Sequence, residues 1–131
     1  MKKILLIVAL AIASFLYGGP TKEQFTKTCD SLGIHHSNVV WAQARLESGN
    51  FTSAHFKNRN NCLGIYDSKN KRYASFASWQ DCLIAYRDKV QYKCKTTGCT
   101  DEEYIKWLIR MGYASDSTYE TKVLKIVRSG K

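Results

Sequence analysis

Ala42-Gln43-Ala44-Arg45-Leu46-Glu47-Ser48-Gly49 is the stretch on which the reading of this chain turns. Val40, Ala44 and Glu47 recur at i, i+4 and i+7, so they share one face of a helix. Ser37 is placed to cap that helix, and Gly49 suits the position just past its end. A carboxylate therefore falls on the apolar side of a helix, in its last turn. The negative end of the helix dipole disfavours charge there, and partial burial acts in the same direction. Both raise the pKa, which is what a general acid working near neutral pH requires. The plainer alternative is a solvated Glu47, or one paired with Arg45 or a lysine.

The segments on either side read as further helices. Thr21-Lys22-Glu23-Gln24 is a capping box, followed by Phe25, Cys29 and Leu32 at helical spacing, with Gly33 as a stop. Ser78-Trp79-Gln80-Asp81 opens another, carrying Leu83, Ala85, Tyr86 and Val90. Thr100-Asp101-Glu102-Glu103 opens a fourth, with Tyr104, Ile105, Leu108 and Ile109, and Gly112 to end it. The fifth runs from about Ser117 to Arg128, with Tyr119, Val123, Ile126 and Val127 inward. Between the second and third, Cys62-Leu63-Gly64-Ile65-Tyr66 and Arg72-Tyr73-Ala74-Ser75-Phe76 flank the polar turn Asp67 to Lys71, which suggests a small hairpin. The pattern predicts a mainly α domain of about five helices, with a short β-hairpin lobe and a cleft between hairpin and helices.

The amino-terminal segment is of another kind. Lys2 and Lys3 precede an apolar run from Ile4 to Leu16, and small residues and a breaker follow in Tyr17-Gly18-Gly19-Pro20. Residues 1–19 read as a secretory signal peptide. A helix of that run rises only about 20 Å, short of a roughly 30 Å hydrocarbon core, which argues against a membrane anchor. No Cys at the junction offers a lipid attachment point. Residues 20–131 are then one domain, expected in the periplasm or outside the cell. With Lys2 and Lys3 removed, the 20 basic residues fall to 18 against 11 acidic ones, a net charge of +7. Such a field attracts polyanions, and export points to wall polymers rather than nucleic acid.

Five cysteines suit an oxidising compartment. Cys94 and Cys99 enclose a turn-like tetrapeptide and are the first choice of disulfide; Cys62 with Cys82 is the second, leaving Cys29 over. No metal or cofactor is expected: there is no Cys-x-x-Cys pair, and His35-His36 is not at helical ligand spacing. Cys–His peptidase chemistry lacks its local signature and an orienting Asn or Asp.

Four stretches together resemble one family. Ala42 to Gly49 is similar to the catalytic helix end of the lysozyme-like glucosaminidases (glycoside hydrolase family 73). Asn60-Asn61-Cys62-Leu63-Gly64-Ile65 resembles that family's Asn-Leu-Phe-Gly-Ile segment, Tyr73 to Tyr86 its aromatic strand leading into a helix, and Gly112 to Tyr119 its Tyr-Ala-Thr-Asp-x-x-Tyr end motif. The resemblance spans roughly Val39 to Val127, and the motifs keep the family's order. It implies a lysozyme-like α+β fold and hydrolysis of the β-1,4 bond between N-acetylglucosamine and N-acetylmuramic acid in peptidoglycan. Glu47 would protonate the leaving oxygen, and Tyr113 would position the sugar or the attacking water. Asn61 and Gly64 match the cleft floor; Asn61 would bond an acetamido group or turn the chain, and Gly64 would serve close packing. Phe51, Phe56, Tyr66 and Tyr73 are the aromatics expected nearest the sugar.

The pattern departs from the family at one point. Glycosidases use a second carboxylate, at about 5–5.5 Å for retention or about 6.5–9.5 Å for inversion. No Glu lies between Glu47 and Glu102. Asp67 is the nearest candidate by position, although a turn-forming Asp is the plainer reading. Assistance by the substrate's own 2-acetamido group is the other route. A catalytically inactive, basic wall-binding module is the alternative to an enzyme.

Overall fold

The computed structural model describes residues 19–95 and 98–131. Most of the expected signal peptide, residues 1–18, lies outside them. Among the described residues there are six α-helices and one small sheet: α1 Lys22–Ser31, α2 Ser37–Glu47, α3 Ala54–Arg59, β1 Tyr66–Asp67, β2 Arg72–Tyr73, α4 Trp79–Lys89, α5 Asp101–Arg110 and α6 Tyr119–Ser129. A 3₁₀ turn, Gln91–Lys93, follows α4. None of these helices is long and apolar enough to cross a membrane.

The caps written in the sequence close as expected. Thr21 with Gln24 and Thr100 with Glu103 form full capping boxes at α1 and α5, and Ser78 caps α4 through the Asp81 amide. The start of α2 differs. Ser37 is its first helical residue, and the cap is His36, at φ 56° with no side-chain cap bond. One helix more than expected is present. α3 has six residues and is capped by Ser53, which accepts from the Phe56 amide. It is too short to show a period.

α2 is the pivot of the fold. Val39 to Ala44 are all buried, so the helix is apolar nearly all round and sits at the centre rather than on a surface. On one side Val40, Trp41 and Ala44 join Phe25 and Cys29 of α1, Phe56 of α3, and Cys82, Leu83 and Tyr86 of α4. On the other, Val39 and Ala42 join Tyr104, Ile105 and Leu108 of α5 and Tyr119 and Val123 of α6. Glu47 is the last residue of this central helix, so two cores fix its position.

A buried polar chain crosses between them. Gln43 donates to the Tyr119 hydroxyl at 3.0 Å and accepts from the Tyr86 hydroxyl at 2.7 Å. Tyr86 and Tyr104 share a hydrogen bond of 2.6 Å, and Gln91 donates to Tyr104 at 3.1 Å. Four helices and the 3₁₀ turn are thereby bonded through atoms that burial would otherwise leave unsatisfied.

After α2 the backbone takes three consecutive left-handed residues, Gly49, Asn50 and Phe51, at φ 58°, 57° and 64°. The Ser48 hydroxyl accepts from the Phe51 amide at 2.8 Å, and Arg45 donates to the Asn50 side chain at 3.0 Å. The turn throws Phe51 inward.

The hairpin is shorter than its two apolar runs suggest. Only Tyr66↔Tyr73 and Asp67↔Arg72 pair, antiparallel. Asn61 supplies what a longer ladder would have given. Its amide nitrogen donates to the carbonyls of Ile65 at 2.8 Å and Ala74 at 3.0 Å, and its oxygen accepts from the Ile65 amide at 3.0 Å.

Candidate active-site cleft

The end of α2, the segment Leu63–Tyr66, β2, the end of α4 and the stretch Tyr113–Asp116 enclose a cleft of about 620 Å³. Glu47 enters it from the helix end. Burial raises the Glu47 carboxyl above its ordinary value, with no neighbouring charge adding to the effect. This acid therefore keeps its proton to higher pH than an exposed glutamate does.

Gly64 makes room for it. Its backbone stands at φ +64°, and a Cβ placed there would come within 2.9 Å of Glu47 Oε2 and 3.5 Å of its Cδ. The conformation disfavours a side chain, and a Cβ there would displace the Glu47 carboxyl. The glycine of the segment Asn60 to Ile65 thus has a concrete function: it lets the cleft floor lie against the acid.

Tyr113 lines the cleft beside this floor. Its hydroxyl donates to the Leu63 carbonyl at 2.7 Å, one residue before Gly64. Burial first, then the neighbouring Tyr119 and Glu47, push this phenol well above its usual value, so it stays neutral. Its hydrogen-bond partner is the floor backbone, which suits a positioning part: it holds Leu63-Gly64 against Glu47.

Tyr66 and Tyr73 form the open wall. They are paired strand residues, 55% and 38% exposed, with rings edge to face at 5.7 Å. His55 of α3 packs on Tyr73 at 3.9 Å between centroids. Exposed aromatic faces beside a cleft offer apolar platforms for sugar rings. Two exposed cations, Lys89 and Lys122, also line the cleft.

The other expected residues fall elsewhere. Phe51 is not a cleft residue. It is 6% exposed and packs against Trp41 at 5.4 Å and Phe56 at 5.1 Å, because the left-handed turn directs it into the core. Phe56 is buried beside it. Asn61 is 1% exposed, with its amide engaged by the hairpin backbone as described. Asp67 stands at the hairpin turn and does not line the cleft. Both its oxygens accept from Asn70, at 3.2 Å from the amide and 2.7 Å from the side chain, and these bonds lower its pKa.

Sequence reading passed over one carboxylate that the fold brings in. Asp116 lines the cleft. It accepts from the Thr118 amide and hydroxyl at 2.9 and 2.7 Å and from Lys122 at 2.7 Å, which holds it far below the usual carboxylate range. Its place in Tyr113-Ala114-Ser115-Asp116 was the available signal, but nothing local separates a cleft carboxylate from a helix-starting one.

The cysteines are thiols in this structure. Cys62 and Cys82 sit side by side in the core, and Cys62 is raised by its hydrogen bond to Cys82 and by burial. Cys29 is buried and pushed up to about 12, mainly by burial. Cys99 lies apart from them, beside His36.

A mainly helical domain with a small two-stranded sheet and a half-buried glutamic acid at the end of its central helix is a lysozyme-like α+β fold. The chain belongs to the glucosaminidase family: residues 22–131 match it, under the description mannosyl-glycoprotein endo-beta-N-acetylglucosaminidase. That match takes in all six helices and the hairpin, and it makes the protein a glycoside hydrolase by family. No curated protein matches the chain.

Proposed function

We propose that the protein is an exported hydrolase that cuts the β-1,4 bond between N-acetylglucosamine and N-acetylmuramic acid in peptidoglycan, with Glu47 as the general acid. The observation that carries this reading is the Glu47 carboxyl itself, raised by burial and set against Gly64 at the floor of the cleft. The protonated acid delivers its proton to the glycosidic oxygen as the bond to the leaving sugar breaks. Tyr66 and Tyr73 would carry sugar rings on the open wall, and Tyr113 would hold the floor in register. Lys89, exposed at the cleft edge, favours an anionic polymer such as one bearing lactyl and peptide carboxylates.

The second catalytic group is proposed to be the substrate's own 2-acetamido oxygen, a recognised exception to the two-carboxylate scheme. Asp67 has both oxygens occupied by Asn70, and Asp116 is tied to Thr118 and Lys122. Neither contributes to the pKa of Glu47, as a carboxylate in close attack geometry would. On this reading Asp67→Asn retains activity.

The test is digestion of purified sacculi, with the new reducing ends identified by mass spectrometry. N-acetylglucosamine ends are expected from the wild type, and Glu47→Gln should lower release by about 10²-fold or more with its circular dichroism unchanged. Equal release by that variant would remove Glu47 from its role. Full activity in Asp67→Asn, with none in Glu47→Gln, supports acetamido assistance. The rival is an inactive wall-binding module, favoured by the engaged state of both Asp67 and Asp116. Of the two aspartates only Asp116 lines the cleft, and this rival predicts sacculus binding with no new ends at all.

A further inference from the structure

A second arrangement of reactive groups lies at the amino-terminal end of α5, apart from the residues that line the cleft. Cys99 Sγ is 3.5 Å from His36 Nε2. On the other side of the ring, His36 Nδ1 is 2.8 Å from Asp101 Oδ1. The imidazole stacks on Tyr104 with centroids 4.6 Å apart and 11° between planes. Its side chain is 9% exposed, while Asp101 is 40% exposed. The ring is thus fixed in position, and its Nδ1 hydrogen is committed to a carboxylate. Its Nε2 lone pair then faces the thiol. This is the order nucleophile, base, orienting acid that activates a cysteine.

Two further observations favour a reactive thiol here. Cys99 directly precedes Thr100, the cap of α5, so a thiolate would sit at the positive end of a ten-residue helix. Cys99 is also half-exposed, whereas Cys29, Cys62 and Cys82 are buried. Cys94 packs against the same core as Cys99, five residues earlier.

We propose that Cys99 is a base-assisted nucleophile for thiol–disulfide exchange, with His36 and Asp101 as its activating pair and Cys94 as the resolving thiol. The substrate class is an accessible disulfide, either a small one or one on another protein. His36 Nε2 takes the Cys99 proton, and the thiolate attacks one sulfur of the incoming disulfide. A mixed disulfide forms, the original sulfur–sulfur bond breaks, and the departing thiolate takes the proton from His36. Cys94 then attacks Cys99 Sγ, releasing the second thiol along with its own proton. Two thiols of the protein become one disulfide, and the incoming disulfide becomes two thiols, so electrons and protons balance.

The test uses the reduced protein with oxidised glutathione, followed by intact mass and peptide mapping. In the wild type a glutathione adduct should form transiently on Cys99 and give way to a Cys94–Cys99 bridge. In Cys94→Ser the adduct should persist. His36→Asn, a residue type that tolerates the left-handed backbone at this position, should slow adduct formation at least ~10-fold. Asp101→Asn, at a partly exposed helix start, should slow it less, and it decides the matter if His36→Asn does not fold. Cys29, Cys62 and Cys82 should stay unmodified throughout. First attack at Cys94, wild-type rates in the folded His36 and Asp101 variants, or no reaction in the wild type would each overturn the proposal. A wild-type adduct as long-lived as that of Cys94→Ser would overturn the resolving role of Cys94.

Discussion

Glu47 and Gly64 act as one unit, and each constrains what the other can be. Ala at position 64 would put a methyl 2.9 Å from Glu47 Oε2 and hold it at φ +64°. Gly64→Ala should therefore cost about 1–2 kcal/mol of stability from backbone strain. It should also lower sacculus turnover at least ~10-fold, because the acid must move; turnover and melting curves measure the two losses. The raised pKa of Glu47 has an energetic consequence of definite sign. Because the folded state binds this proton more tightly than the unfolded chain, the stabilisation belongs to the protonated form. It is fully present below the unfolded value and lost as pH rises through the folded one. At neutral pH Glu47→Gln should therefore melt higher than the wild type while losing activity, and the gap should close below about pH 4. Activity should fall as pH climbs through the same raised value. Glu47 was legible because periodicity put an acid on an apolar face. Phe51 was misread because two non-glycine left-handed residues precede and include it, a conformation that local preference argues against.

At the scale of elements, capping chemistry was the most readable layer. Thr21–Gln24 and Thr100–Glu103 announce α1 and α5, and both boxes close. What the sequence hid were elements held by tertiary bonds instead of by pattern. α3 is too short for a period, and the hairpin forms only two residue pairs because the Asn61 amide substitutes for its missing ladder. Gln43 is the clearest case. A polar residue in the middle of an apolar helix reads as a solvent-facing position, yet it is fully buried between Tyr86 and Tyr119. Its value depends on helices distant in sequence, so no local signal exposes it. Gln43→Leu should leave buried hydroxyls short of partners and cost about 1–3 kcal/mol, read as a lower denaturation midpoint at unchanged m-value. Turnover by the fraction still folded should change little, since Gln43 does not line the cleft.

Across the whole molecule, charge and burial divide the work. Without Lys2 and Lys3 the chain carries +7, and Lys89 brings part of that field to the cleft, whereas Lys122 is paired there with Asp116. Adsorption to sacculi should weaken steeply as ionic strength rises toward that giving a Debye length of about 3 Å, near 1 M salt. Glu47→Gln should bind with the same salt dependence, which co-sedimentation would show. The buried phenols give the molecule a property of another sort. Of eight tyrosines, Tyr86, Tyr104, Tyr113 and Tyr119 are all held neutral above their usual range, mainly by burial. In an alkaline titration their ultraviolet phenolate band should stay dark while the fold holds and then rise in one step when it opens. The core thus carries its own optical indicator, and a label-free absorbance trace would report the moment the two halves of the helical scaffold part.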